Sequence, residues 1–142
     1  MSSKGACEVI LIDTNVLLDM VLSARPDSGD AQRLLEAGLK GKCKLSISAS
    51  SLKDFYYITR RDLSEDVRRA WISFFLDVLH VLQVDSLVCR DAVDSDEPDF
   101  EDGIVRAIAE SAGAVAIVSR DAGAFEGSLI RRLTASEVLS LL

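Results

Sequence analysis

The sequence predicts a three-layer α/β/α sandwich with a mainly parallel central sheet. Two unbroken apolar runs, Val9-Ile-Leu-Ile12 and Ala114-Val-Ala-Ile-Val118, read as strands buried on both faces. Stretches with helical spacing lie between the strand-like runs, and strands alternating with helices build a parallel sheet covered on both sides. Each buried run also leads into a carboxylate, Asp13 after the first and Asp121 after the second.

The other elements can be read in chain order. Ala31, Leu34, Leu35, Gly38 and Leu39 share a helix face that Gly41 terminates. Lys44-Leu-Ser-Ile-Ser48 alternates, which suggests a strand nearer an edge. Leu52, Phe55, Tyr56 and Thr59 mark the next helix. Val67, Trp71, Phe74, Phe75, Val78, Leu79 and Leu82 trace a long amphipathic one, opened by Ser64 with Glu65 and Asp66 in its first turn. A weaker strand is expected near Leu82-Gln-Val84. Phe100, Ile104, Ala107, Ile108 and Ser111 form a further helix face, and Thr134-Ala-Ser-Glu137 is a capping-box pattern opening a short terminal helix. The aromatics sit at helical spacing and read as core rather than as a cofactor site. His80, beside the long helix, has no nucleophile at a recognisable spacing and reads as structural or surface. No repeat or linker divides the 142 residues, so residues 1–142 are expected to form one domain.

Charge and cysteine usage narrow the function classes. The net charge is -7, and the segment from Asp85 to Asp102, with eight acidic residues against Arg90, carries all of it. The rest of the chain is balanced, so a broadly basic nucleic-acid groove is not supported. The start of that segment, Asp85 to Glu97, reads as a solvated helix and loop at a cleft rim. No apolar run approaches the roughly 20 residues of a membrane span, and Met1 to Cys7 has no secretory hydrophobic core. Cys7, Cys43 and Cys89 form no CxxC pair. They read as small buried or half-buried apolar side chains in a reduced, cytoplasmic compartment rather than as a zinc site.

In an open α/β sheet, ligands bind at the carboxyl ends of the strands. Asp13 and Asp121 belong to that edge. Asp54, in the helix after Lys44 to Ser48, and Asp102, in the first turn of the helix starting near Asp99, can reach it. Asp99 and Asp102, three apart, are neighbours on one helix face. Each acid also has a plainer reading. Asp13 and Asp121 can cap the helix or turn after each strand, Asp99 can be an N-cap, and Asp54 can pair with Lys53 or Arg61. Taken together they imply more. Four converging carboxylates repel one another unless something neutralises them, and hard divalent cations such as Mg²⁺ or Mn²⁺ do so with oxygen ligands. The implied chemistry is metal-assisted phosphodiester hydrolysis. A phospho-receiver domain, also α/β with an acidic pocket, wants a Lys after a late strand, whereas Arg120 follows Val118-Ser119 here. Lys53 and Arg120 adjoin proposed ligands and are the candidate contacts for a substrate phosphate.

The chain resembles the PIN-domain nucleases in four successive pieces: Val9-Ile-Leu-Ile-Asp-Thr-Asn-Val-Leu-Leu-Asp19, Ile47-Ser-Ala-Ser-Ser-Leu-Lys-Asp-Phe-Tyr-Tyr-Ile58, Asp99-Phe-Glu-Asp-Gly-Ile104, and Val118-Ser-Arg-Asp121 followed by Phe125. The resemblance implies that Asp13, Asp54, Asp102 and Asp121 take the family's acidic positions. Asp13, Asp102 and Asp121 would then be the metal ligands, and Asn15, Ser119 and Asp99 would support them. It departs at Asp54, where most of the family has Glu, and at Gly103, where Ala is usual. The compact length resembles VapC-type toxins. That implies a metal-dependent endoribonuclease acting on single-stranded RNA, a small antitoxin that inserts a basic peptide into the acidic groove, and a homodimer. The other reading is a degenerate PIN domain that binds RNA or protein without cleaving, to which the departures at Asp54 and Gly103 point.

Overall fold

The computed structural model describes residues 7–142, so the stretch read for a secretory core lies, apart from Cys7, outside the described residues. Five strands form one sheet in the order β3-β2-β1-β4-β5: β1 (Val9–Ile12), β2 (Lys44–Ser48), β3 (His80–Leu82), β4 (Ala116–Val118) and β5 (Arg132–Leu133). Every pairing is parallel, with Ile10 opposite both Leu45 and Ala116. The helices are α1 (Thr14–Val21), α2 (Ser28–Leu39), α3 (Ala49–Ile58), α4 (Glu65–Val78), α5 (Ser86–Asp94), α6 (Phe100–Ala112) and α7 (Ala135–Leu139). Among the described residues, no helix is long and apolar enough to cross a membrane.

Alternate residues of the central strands feed two cores. Ile10, Ile12, Leu45, Ile47, Ala116 and Val118 pack on one face with α1–α4 and α7. Leu11 and Ile117 pack on the other with α5 and α6. Phe55, Phe75 and Trp71 interlock on the first face, with ring centroids 5.4 Å apart for Phe55–Phe75 and 5.7 Å for Trp71–Phe75, as expected of core aromatics.

Several elements differ from the sequence reading. β2, expected nearer an edge than β1, lies one strand in from it, between β1 and β3. Its Ser46 and Ser48 are buried because their hydroxyls are satisfied locally, Ser46 donating to the Lys44 carbonyl and Ser48 capping α3. β3 comes two residues earlier than expected because α4 caps at Leu79, so Leu82 belongs to the strand rather than the helix face. His80 lies exposed on that strand. β5 has only two residues, too few to show a period. α1 is buried at Val16 through Met20 and so lacks the polar stripe that betrays a surface helix. Cys7 is exposed rather than buried, Cys43 is buried and Cys89 half-buried, and all three are free.

The acidic segment is solvated as expected at Asp85, Asp91, Asp94 and Asp96, and Glu97 is the exception. Asp85 caps α5, accepting from the Val88 N–H at 2.9 Å. The Glu97 side chain is buried. It accepts from the Phe125 N–H at 2.8 Å and pairs with Arg106 at 3.1 Å. Arg106 also holds Asp96, Glu110 and the Gly127 carbonyl, tying α6 to the loop after Asp121. The surface reading misses Glu97 because its partners, Arg106 and the Phe125 N–H, belong to the next helix and to a loop 28 residues on.

Gly103 has a packing reason. A Cβ there would lie 2.8 Å from the Ala92 carbonyl oxygen and 3.1 Å from its Cα, so α6 sits against α5 with no room for a methyl. G103A is therefore expected to destabilise the fold by about 1–3 kcal/mol, as overpacking does. Urea unfolding would measure it. Unchanged stability would mean that the two helices part freely.

Candidate active site

β1 sits between β2 and β4, so the chain leaves the sheet centre in opposite directions and opens a crevice at the carboxyl ends. A cavity of about 270 Å³ lies there, lined by Asp13, Asn15, Asp54, Asp99, Glu101, Asp102 and Asp121 together with Thr14, Ser50, Ser51 and Ile58. All four acids of the predicted constellation are thus brought together, with Asn15 and Asp99 beside them. A larger cavity, about 640 Å³, opens at the opposite end of the strands. Glu8 is the one acid among the described residues lining it, so it lacks the carboxylate chemistry of the smaller cavity.

Each acid is held by its own element. Asp13 directly follows β1 and N-caps α1. Its Oδ1 accepts from the Thr14 N–H at 2.8 Å and its Oδ2 from Ser119 Oγ at 3.0 Å. Ser119, fully buried, also accepts from the Asp121 N–H at 3.1 Å, so one hydroxyl links the acids that follow β1 and β4. Asp121 accepts from the Gly123 N–H at 2.9 Å. Asp99 caps α6 through the N–H groups of Glu101 and Asp102, at 2.7 and 3.3 Å. The capping and cavity-lining roles therefore coexist in Asp13 and Asp99. Asp54 lies at the outer limit of an ion pair with Lys53, 3.9 Å away.

The electrostatics carry the strain of that convergence. Burial, followed by the charges of Asp13, Asp99, Asp121 and Glu97, pushes the Asp102 carboxyl up to about 7. Asp13 is also raised. Burial dominates over the two hydrogen bonds that lower it, and Asp121 and Asp54 add to the rise. Glu101 is raised first by Asp54 and then by burial.

The donor set fits a hard divalent cation, since every charged group is a carboxylate and the carboxylates disfavour one another's ionisation. Asn15 Oδ1 adds a second sign. Among the described residues it is the one buried side-chain N or O atom without a hydrogen-bond partner, an acceptor that a cation or its bound water would satisfy. As they stand, no three acid, His or Cys side chains among the described residues are grouped to hold an ion, so binding requires the carboxylates to draw together.

Arg120 is not where the phosphate reading needs it. Its Nε donates to Asp19 Oδ2 at 2.8 Å and its Nη2 to Oδ1 at 3.3 Å, and Asp27 lies 3.4 Å away. Asp19 is only 2% exposed and also takes Arg25 at 2.6 Å, so a buried carboxylate captures the guanidinium. Arg120 instead ties α1 to the turn carrying Asp121. Four polar cavity residues escaped the sequence reading: Thr14, Ser50, Ser51 and Glu101. Ser50 and Ser51 lie one turn before Asp54, a spacing that marks the same helix face, and Thr14 donates to Ser51 at 2.9 Å.

The sequence model for the PIN domain matches residues 9–123. The chain is 33% identical over 89 residues to ribonuclease VapC13 of Mycobacterium tuberculosis, covering 60% of this chain and 68% of that protein. A VapC ribonuclease of Mycobacterium bovis matches equally. Among solved structures, VapC20 of M. tuberculosis, a sarcin-ricin loop cleaving toxin, superposes with a TM-score of 0.67 at 21% identity, covering 80% of this chain and 90% of that one. A toxin–antitoxin complex from Klebsiella pneumoniae gives 0.67 at 20% identity, covering 89% and 97%. At these identities the structural likeness concerns the fold.

Proposed function

The chain belongs to the PIN domain family, and from that premise we propose that it is a metal-dependent endoribonuclease acting on single-stranded RNA, the toxin of a toxin–antitoxin pair. The observation that carries this reading is the convergence of Asp13, Asp54, Asp102 and Asp121 on one cavity at the switch point of a parallel sheet. The relatives named as VapC ribonucleases support the activity.

In this reading Asp13, Asp102 and Asp121 would hold Mg²⁺ or Mn²⁺. A bound ion of this kind lowers the pKa of water and offsets charge on the scissile phosphate. The chain's own residues do the rest. Thr14 N–H and Ser119 Oγ fix the Asp13 carboxylate in one orientation, and the Ser119 hydroxyl keeps Asp121 in step with it. Asp54, carried by α3, takes a proton or orients the attacking water. The Thr14, Ser50 and Ser51 hydroxyls give the cavity neutral donors that tolerate a phosphate beside the acids. The unfilled acceptor of Asn15 orients a water within it.

The partner assignment draws on neighbours solved as toxin–antitoxin complexes. A small antitoxin presenting a basic peptide suits an acidic groove. The reading takes residues 1–142 as a single cytoplasmic domain that assembles as a homodimer. A binding-only module is the weaker reading, because close packing on α5 accounts for Gly103 and Asp54 still lines the cavity.

The test is cleavage of a labelled single-stranded RNA by the purified protein. Mg²⁺ or Mn²⁺ should support cleavage, EDTA should stop it, and excess Mn²⁺ should restore it. Cleavage that persists at full rate in EDTA contradicts the metal-dependent reading.

A further inference from the structure

An acidic cavity in a chain of net charge -7 repels RNA unless cations line the approach. Most arginines are already committed to carboxylates. Arg25 and Arg120 hold Asp19, Arg33 holds Asp30, Arg68 and Arg69 hold Glu65, Arg90 lies beside Asp94, and Arg106 holds Asp96, Glu97 and Glu110. Among the described residues, four arginines have no such pair: Arg60, Arg61, Arg131 and Arg132. Arg131 lines the cavity at the far end of the strands. Arg132 donates to the Ser119 carbonyl at 2.8 Å. Arg60 and Arg61 remain, both exposed, in the 3-10 turn Thr59–Arg61 that directly follows Ile58 of the acidic cavity.

α3 carries two parallel rows of side chains. Asp54 and Ile58, four apart, face the cavity. Lys53 and Tyr57, each one residue earlier, form the adjoining row. Tyr57 is 60% exposed, and the Arg60 guanidinium lies 3.8 Å from its ring centroid while donating to the Tyr57 carbonyl at 2.7 Å. The aromatic ring and the cation are thus fixed against each other before any ligand arrives, which reduces the ordering cost of binding.

We propose that Lys53, Tyr57, Arg60 and Arg61 form the track by which single-stranded RNA reaches the carboxylates. An unpaired base stacks on the Tyr57–Arg60 pair, and the cations hold the adjacent phosphates. This rests on the ribonuclease reading of the cavity. It supplies the cationic contact that Arg120 cannot make, and it selects unpaired RNA because a base inside a duplex cannot present its face to a side chain.

The test separates binding from cleavage. In a D13N background with Mg²⁺, fluorescence anisotropy of a labelled mixed-sequence single-stranded RNA gives the affinity. Y57A should weaken binding about 5- to 150-fold, the range of one base–aromatic stack, while Y57F stays near the parent. The double variant R60Q/R61Q should flatten the plot of log affinity against log salt by about 1.4, since each phosphate contact on a single strand contributes roughly 0.7. If Y57A does not fold, R61Q alone carries the test through the salt slope, since the Arg61 side chain makes no hydrogen bond or ion pair among the described residues. Affinity and slope equal to the parent would overturn the track. So would sedimentation showing that the variants lose self-association while RNA binding is intact, which would make the patch a protein contact. Should the wild type bind RNA through these residues yet cleave none, the ribonuclease reading fails and the track stands.

Discussion

D13N is expected to abolish RNA cleavage, with kcat falling by about 10³-fold or more, while the protein remains folded. Asn is as good an N-cap as Asp, so the bond from the Thr14 N–H and the start of α1 survive. What is lost is one full charge at the acid that directly follows the central strand and is linked through Ser119 to Asp121. Metal-assisted charge stabilisation is worth several kcal/mol, and about 1.4 kcal/mol is tenfold in rate, so losing one ligand charge removes about three orders of magnitude. Initial rates on a labelled RNA with saturating Mn²⁺, beside a thermal melt, would measure both halves. Undiminished cleavage by D13N sinks the proposed mechanism.

The second expectation concerns pH and the metal-free protein. Asp102 titrates at about 7 in the fold, against an ordinary value of 3.8. Between those values the folded state keeps a proton that the unfolded state has released. Stability in EDTA therefore falls as pH rises from about 4 to about 7 and then levels. Asp13, raised for the same dominant reason, pushes the same way. D102N carries no such charge, so it should melt above the wild type at pH 7.5 in EDTA, and the gap should narrow towards pH 4. Excess Mg²⁺ or Mn²⁺ should reverse the order at pH 7.5, raising the wild-type Tm far more than that of D102N, and should do less at pH 5, where protons compete for the same oxygens. Parallel melting curves for the two proteins from pH 4 to 8 would show that the carboxylates do not strain one another.

This cost also explains why the acidic charge count is a poor guide to the site. Of the charge concentrated between Asp85 and Asp102, Asp99, Glu101 and Asp102 reach the cavity, whereas the Glu97 side chain is buried in an ion network with Arg106 and Asp85 is a helix cap. Asp13, Asp54 and Asp121 come from neutral parts of the chain. They were legible because a carboxylate just beyond a buried strand, or one helical turn further, must lie at the strand's carboxyl end whatever the rest of the chain does. Ser119 was legible only through the resemblance to the PIN-domain family. Glu101, in the same first turn as Asp102, drew no signal because one more acid in an acidic run is indistinguishable from its neighbours.

Local patterns in the chain were enough to specify β1, β2 and β4, their parallel direction, and the meeting of four acids at one edge. Apolar runs must be buried, and a parallel sheet puts all its carboxyl ends together. Which cations are available and which helices can touch became visible only in the folded molecule. Arg120 follows a strand just as a phosphate ligand would. Its fate was settled by Asp19, which lies about a hundred residues earlier and, in a buried helix, had no other way to be neutralised than by two arginines. Gly103 looked like a departure from the resemblance and proved to be the contact between α5 and α6. Pairing and packing depend on distances between residues far apart in the chain, and no local pattern encodes them.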